Sequence, residues 1–233
     1  MRQIFLDTET TGLSPDNGDR VIEIACVELF NRKPTGNNRH YYVNPGRDSH
    51  EEALKVHGIT SEFLKDKPAF EAVAEDFLTY VAGADVLIHN APFDVGFLNK
   101  ELSLMGRPTF ISQVGQVIDT LAMAKDLFPG KRNSLDALCD RLEVDRSGRT
   151  LHGALLDAEL LADVYINMTR GQDALLIEPT TKESAGPAME SVDLSSFTLT
   201  VPAASEQELA AHEDLLNQLD KASSGKTVWR LAA

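Results

Sequence analysis

An α/β layer fold, in which helices flank a mixed five-stranded sheet, is the architecture this 233-residue chain predicts. Three strand-like segments come first, and strands then alternate with helices. The later helices carry a one-sided apolar stripe, the mark of a helix packed on a core.

Residues 2 to 7 and 20 to 30 (RVIEIACVELF) read as strands, the second with Val21, Glu23 and Ala25 on one face and Ile22, Ile24 and Cys26 on the other. RHYYVNPG is a third strand, closed by Asn-Pro-Gly. From Pro68 the period changes. Phe70, Val73, Ala74, Phe77, Leu78 and Val81 follow i, i+3, i+4 spacing and predict an amphipathic helix of three turns. ADVLI gives a short buried strand, and HNAPFDVGFLNKEL a helix with Asn90 as N-cap and Pro92 in the first turn, where its missing N–H does no harm. QVIDT is the fifth strand. Helices follow near 120 to 128, near 134 to 141 behind the cap residues Asn133 and Ser134, and from about 153 to 170. The last carries Ala154, Leu155, Ala158, Leu161, Ala162, Tyr165 and Ile166 on one stripe.

Beyond Pro179 the chain turns rich in Pro, Ser, Thr, Ala and Gly, which predicts a flexible linker over 179 to 205 after a domain spanning 1 to 178. Ser205 and Glu208 then form a capping-box pattern ahead of Leu209, Leu215, Leu216 and Leu219. This terminal segment, 206 to 233, also holds the single tryptophan, Trp229. A helix of this length is marginal alone and calls for a partner.

No apolar stretch approaches the ~20 residues of a membrane span, and no signal-type segment opens the chain, so the expected location is the cytoplasm. Cys26 and Cys139 lie in apolar contexts without metal-ligand spacing and read as reduced, buried thiols. The formal charge of −14 argues against extensive phosphate binding. Residues 1 to 178 hold 18 basic and 28 acidic side chains. Such a domain acts on nucleic acid only by gripping a few nucleotides at a metal site, or when tethered to a partner that holds the rest.

The acids carry the chemistry. Asp7 and Glu9 share a strand face by period-two alternation and converge at the C-terminal end of the first strand, where α/β sheets place their sites. Asp94 and Asp157 each fall in the first turn of a helix, where an acid also interacts favourably with the helix dipole. Four carboxylates meeting at ~4 Å repel by about 4 kcal/mol per pair at an effective dielectric near 20, so convergence requires cations. An all-oxygen set suits Mg²⁺ or Mn²⁺, and acids shared by two such ions are the arrangement that drives displacement at phosphorus. His152 precedes Asp157 by five residues, about 140° apart on a continuous helix, so the two face one site only if the helix begins between them. Gly153 is read as the residue that frees His152 to stand in the preceding loop. A neutral imidazole there can take a proton from water.

DTETTGL at 7 to 13, HNAPFD at 89 to 94 and HGALLDA at 152 to 158 resemble the three exonuclease motifs of the DEDD superfamily, in its histidine-containing branch. With VHGIT at 56 to 60 and FPGKRNSLDALC at 128 to 139, the chain is most similar to the proofreading epsilon subunits of bacterial DNA polymerase III. The resemblance covers residues 1 to about 178 and implies a ribonuclease H-like fold and 3′ to 5′ removal of nucleotides from DNA 3′ ends. It implies two metals held by Asp7, Glu9, Asp94 and Asp157, with Asp7 bridging and His152 as general base. It further implies that Thr8, Thr10, Thr11, Gly12 and Leu13 line the terminal nucleotide, with His57, His89, Asn90 and Phe93 nearby. GQDALLI resembles a sliding-clamp contact anchored by Gln172, Leu175 and Ile177. The terminal leucines and Trp229 are expected to dock on the polymerase subunit. Two other functions fit the same motifs: an exoribonuclease that trims RNA 3′ ends, or an adaptor joining clamp and polymerase around a vestigial site.

Overall fold

The computed structural model describes residues 1–147, 151–170 and 204–223, and the chain divides into two units, Met1–Ile177 and Glu178–Ala233. In the first unit the apolar run of β1 (Arg2–Thr10) forms the middle of the sheet, with Ile4, Phe5 and Leu6 fully buried. Strand β1 pairs antiparallel with β2 (Val21–Phe30) and parallel with β5 (Asp85–Ile88), which pairs parallel with β6 (Gln116–Asp119). β3 (Lys33–Pro34) and β4 (Arg39–Tyr42) both pair antiparallel with β2, near its opposite ends. The five expected strands are therefore present, together with a two-residue sixth. Asn31 and Arg32, at φ 48° and 64°, make the tight hairpin that returns the chain onto β3. Two residues are too few to show alternation.

Alternation along β1 assigns each side chain a face. Ile4 and Leu6 join Ile24, Cys26, Val86 and Ile88 against α3 (Phe70–Val81) and α4 (Ala91–Leu104), where Phe77, Phe97 and Leu98 complete one core layer. Phe5 joins Val27, Leu29 and Leu87 on the opposite face, covered by α5 (Thr120–Leu127), α6 (Leu135–Leu142) and α7 (Ala154–Met168) through Ala124, Leu138, Ala158 and Leu161. Asp7 and Glu9 follow Phe5 onto the α7 side, and Thr8 follows Leu6 onto the α4 side.

The pairing of β1 with β2 slips once, between Glu9 (opposite Glu23) and Thr10 (opposite Val21). Ile22 is the extra residue of this bulge, and Val21 consequently packs with Ile24 and Cys26 rather than sharing the face of Glu23 and Ala25 as strict alternation predicts. Two short helices, α1 (Glu51–His57) and α2 (Ser61–Leu64), were not predicted, because seven and four residues are too short for a 3.6 period to register.

Capping follows the sequence in part. Ser134 accepts from the N–H of Ala137 at 3.4 Å and caps α6. Asn133 is buried instead, donating to the Phe128 carbonyl. Asn90 precedes α4 in the left-handed region at φ 71° and makes no side-chain cap; its own N–H donates to Asp119 Oδ1 at 3.1 Å. In the second unit, α8 (Glu206–Ser223) starts with the expected box: Ser205 N–H donates to Glu208 Oε2 at 2.8 Å and Glu208 N–H returns to Ser205 Oγ at 3.3 Å. Leu209, Leu215 and Leu219 are exposed and Leu216 is buried. Gln172, Leu175, Ile177, Trp229 and most of the 179 to 205 segment lie outside the described residues.

Among the described residues no helix is long and apolar enough to cross a membrane. Cys26 and Cys139 are buried and form no disulfide, and burial pushes the Cys26 thiol well above its ordinary value, leaving it inert.

Candidate active site

Three of the five expected groups form one cluster of potential ligands. A carboxylate oxygen of Glu9, an imidazole nitrogen of His152 and a carboxylate oxygen of Asp157 lie within 4.8 Å of one another. Helix α7 begins at Ala154, so Asp157 sits in its first turn and His152 in the loop before it. The helix does break between the two residues as the spacing requires. Gly153, however, has ordinary extended dihedrals (φ −153°, ψ 128°), and a Cβ there would meet nothing within 4 Å. The loop conformation thus does not depend on glycine.

His152 Nδ1 lies 3.1 Å from Asp157 Oδ2. Because the carboxylate is the acceptor, the neutral imidazole carries its proton on Nδ1 and keeps Nε2 as the basic nitrogen. The ring is about half exposed, whereas Asp157 is 4% exposed. His152 N–H donates to the Val56 carbonyl at 3.1 Å, which ties the loop to α1.

Asp7 stands beside this cluster. Burial raises its carboxyl well above the usual carboxylate range, and the charges of Asp94, Glu9, Asp157 and Glu23 raise it further. Asp94 is 3% exposed, and burial pushes it up to about 7 despite two hydrogen bonds on its Oδ1, from Thr8 N–H at 3.1 Å and Thr8 Oγ1 at 2.6 Å. The sheet register explains this contact. Phe5 pairs with Leu87 in parallel, so β1 runs on past the end of β5 and brings Thr8 to the first turn of α4. Buried like charges of this kind are unfavourable without a cation, and a hard oxygen donor set fits a divalent ion. Among the residues present, Asp7, Glu9, Asp94 and Asp157 are thus suited to hold one.

The other expected contacts divide. Gly12 and Leu13 border a cavity of about 440 Å³ that also takes in Ser14, Asp19, His50 and Val56; Leu13 is 80% exposed. Thr8, Thr10 and Thr11 are buried with their hydroxyls committed to the protein: Thr8 to Asp94, Thr10 to the Gly12 carbonyl at 2.6 Å, and Thr11 to Asp19 at 3.3 Å. His57 is buried, its Nδ1 accepting from Ile59 N–H at 2.9 Å. His89 bridges Thr120 and the Asn133 carbonyl at 3.1 and 3.0 Å, and burial lowers its pKa. Phe93 packs 5.0 Å from Phe97 at the core edge, and Asn90 is exposed.

Two acids escaped the sequence reading. Glu23, 2% exposed, accepts from the first N–H of α7, that of Ala154, at 3.1 Å and pairs with His40 Nε2 at 2.6 Å. It anchors the helix end that presents Asp157, and the available signal was an acid within a largely apolar strand. Asp19, 3% exposed, accepts from Ser14 N–H at 3.1 Å and pairs with His50 at 2.9 Å and Arg47 at 3.3 Å, bracing the loop that displays Leu13. A Cβ at Gly12 would collide with the Asp19 and His50 side chains, so any larger residue there must displace that pair.

Burial alone would raise the Asp19 carboxyl, but its hydrogen bonds to Ser14 and His50 and the charges of His50 and Arg47 hold it below its ordinary value of 3.8. A depressed folded value contributes stability above the unfolded value, and that stability is lost as pH falls through the folded one. Asp19→Asn is therefore expected to cost about 1–3 kcal/mol at pH 7 and progressively less below about pH 4, read by urea unfolding of both chains across that range. A difference that persists undiminished at pH 2.5 would contradict the ionic role.

The RNase T exonuclease family model matches residues 4–165. The DNA polymerase III epsilon subunit of Haemophilus influenzae is 49% identical, with 98% of this chain and 94% of that protein covered. The Escherichia coli K12 epsilon subunit is 48% identical, over 98% and 97%. Among solved structures, exonuclease X in complex with 5′ overhanging duplex DNA superposes with a TM-score of 0.56 at 27% identity, covering 72% of this chain and 90% of that one. The nuclease domain of 3′hExo, a DEDDh family member bound to rAMP, gives 0.63 at 20%, covering 74% and 92%, a likeness of fold.

Proposed function

The chain belongs to the exonuclease family that contains the DNA polymerase III epsilon subunits, and from that premise we propose how its residues edit DNA. It is a proofreading 3′–5′ exonuclease, of ribonuclease H-like fold and dependent on divalent metal, that works with DNA polymerase III. In our reading, Asp7, Glu9, Asp94 and Asp157 hold two ions, Mg²⁺ or Mn²⁺. Such ions supply Lewis-acid stabilisation of charge developing on the phosphoryl and leaving oxygens.

The chain's own residues do the rest. Water attacks the phosphorus of the terminal phosphodiester, His152 Nε2 takes its proton, and the bond to the 3′ oxygen of the shortened strand breaks, freeing a nucleoside 5′-monophosphate. The Nδ1 hydrogen bond to Asp157 fixes the tautomer this step needs. Glu23 and Thr8 act as positioning residues, the first for α7 and the second for Asp94. Leu13 and Gly12 line the terminal nucleotide beside Val56, while Thr10 and Thr11 shape the loop from within. The carrying observation is the meeting of Glu9, His152 and Asp157 beside Asp7, whose carboxylate form burial and the neighbouring acids destabilise.

Substrate preference is tested with matched single-stranded DNA and RNA oligonucleotides, with and without a 3′ mismatch. DNA is expected to be cut faster, the mismatched end fastest. Faster cutting of RNA would establish an exoribonuclease instead.

Residues 1 to 178 form the nuclease domain in this reading. The 179 to 205 segment is a linker, and 206 to 233 docks on the polymerase subunit through Leu209, Leu215, Leu216, Leu219 and Trp229. Exposure of Leu209, Leu215 and Leu219 on α8 supports that docking role. Gln172, Leu175 and Ile177 provide a clamp contact, and the complex works in the cytoplasm. Truncation after Glu178 is expected to leave hydrolysis intact and abolish co-elution with the polymerase subunit; retained co-elution would move the docking surface into the nuclease domain.

A further inference from the structure

A chain of charge −14 must still hold a polyanion in register at its site, and most of its placed arginines are engaged elsewhere. Arg2 pairs with Glu28 at 2.5 Å, Arg20 with Glu101 at 2.6 Å, Arg107 with Glu75 at 2.7 Å and Arg146 with Asp140 at 2.9 Å. Two lysines differ. Lys125 and Lys131 line the cavity of about 450 Å³ that also contains Asp7, His152 and Asp157. Both are exposed, and no ion pair within 4.0 Å engages either among the described residues. They share a cavity with the acids without neutralising them.

Their mounting is rigid. Lys125 lies in the last turn of α5. Lys131 sits in the turn between α5 and α6, its N–H donating to the Phe128 carbonyl at 3.2 Å. Asn133 Nδ2 donates to that carbonyl at 3.3 Å, and Arg141 donates to Asn133 Oδ1 at 2.9 Å while its guanidinium lies 4.7 Å from the centre of the Phe128 ring. The Asn133 carbonyl lies 3.0 Å from His89 Nε2, so the turn is tied to the residue directly after β5. The FPGKRNS stretch thus holds the backbone that carries Lys131 in place relative to the strand ends that carry the site.

We propose that Lys125 and Lys131 form a phosphate-binding wall that takes backbone phosphates of the retained strand, beyond the phosphodiester that is cut. The assignment rests on the nuclease reading above, in which the scissile phosphate lies at the acids. A lysine placed at that phosphate would compete with the divalent ions for the same carboxylates, whereas these two, with no ion pair within 4.0 Å among the described residues, are left to meet the next stretch of backbone. Lysine acts there as a point charge on a flexible stem, which suits sequence-independent contact.

The test uses the full chain and two substrates. One is a single-stranded DNA oligonucleotide. The other is the p-nitrophenyl ester of thymidine 5′-monophosphate, which has a scissile phosphate and none beyond it. For Lys125→Gln/Lys131→Gln, the oligonucleotide KM is expected to rise about tenfold with kcat changed less than threefold, and the slope of log KM against log salt to fall by ~0.7 for each phosphate no longer neutralised. The aryl ester should show no comparable rise in KM, and the double Lys→Arg variant should recover the oligonucleotide KM. Equal losses on both substrates, or an unchanged oligonucleotide KM and salt slope, would overturn the proposal. Failure of the unaltered chain to cut either substrate would instead overturn the nuclease reading itself.

Discussion

Replacing His152 by alanine is expected to lower kcat for 3′-terminal hydrolysis by about 10²- to 10⁴-fold, the usual contribution of a positioned general base. The imidazole is half exposed and its Nδ1 is bound to Asp157 Oδ2, so its removal disturbs little packing. Metal affinity is the discriminating readout. His152 also stands among the three groups close enough to bind an ion directly. If it is the base, calorimetric titration with Mn²⁺ should give nearly the same affinity for the variant as for the unaltered chain, with only turnover reduced. A parallel collapse of affinity would make His152 a ligand and leave the proton without its acceptor.

Asp7→Asn is expected to act in the opposite manner, weakening the ions themselves and with them kcat by about 10³-fold or more, equivalent to the several kcal/mol a divalent ion contributes to the developing charge. A second consequence separates this from misfolding. Burial and the charges of Asp94, Glu9, Asp157 and Glu23 oppose ionisation of Asp7, so the metal-free fold bears a repulsion at neutral pH that a neutral amide removes. A carboxyl whose folded pKa is raised stabilises the fold while protonated, and that stability declines as pH climbs from the unfolded toward the folded value. In metal-free buffer at pH 8 the variant should therefore melt above the unaltered chain, and the gap should close as pH falls toward 4. Added Mg²⁺ should raise the melting temperature of the unaltered chain only. A variant that melts lower under all conditions would show that Asp7 serves the fold rather than the ions.

Much of this molecule was legible because its signals are local. The stripe from Phe70 to Val81, the buried run of β5 and the Ser205–Glu208 box each depend on neighbours within a few residues, and each appears where expected. What escaped was either too short to carry a period, as with β3 and α2, or set by a distant partner. Asn90 has a capping side chain, yet the carboxylate of Asp119 takes its backbone N–H and the chain enters α4 through a left-handed residue. Thr8 sits in a motif expected to face substrate, and its hydroxyl donates to Asp94, 86 residues away. Glu23 looked like one acid among several until the N-terminus of α7 arrived against it.

The sequence alone determined the elements, the types of donor and the order of the three motifs, since propensity, periodicity and spacing operate within a turn or two of the chain. Only the tertiary structure decided that residues 9, 152 and 157 share one space, that Thr8 holds Asp94 where its charge bears on Asp7, and that two lysines stand in the cavity lined by Asp7 and Asp157. Those distances follow from the parallel register of β1 with β5, the bulge at Ile22 and the packing of α7 on the sheet. They join segments some 150 residues apart, and no period of two or 3.6 extends that far.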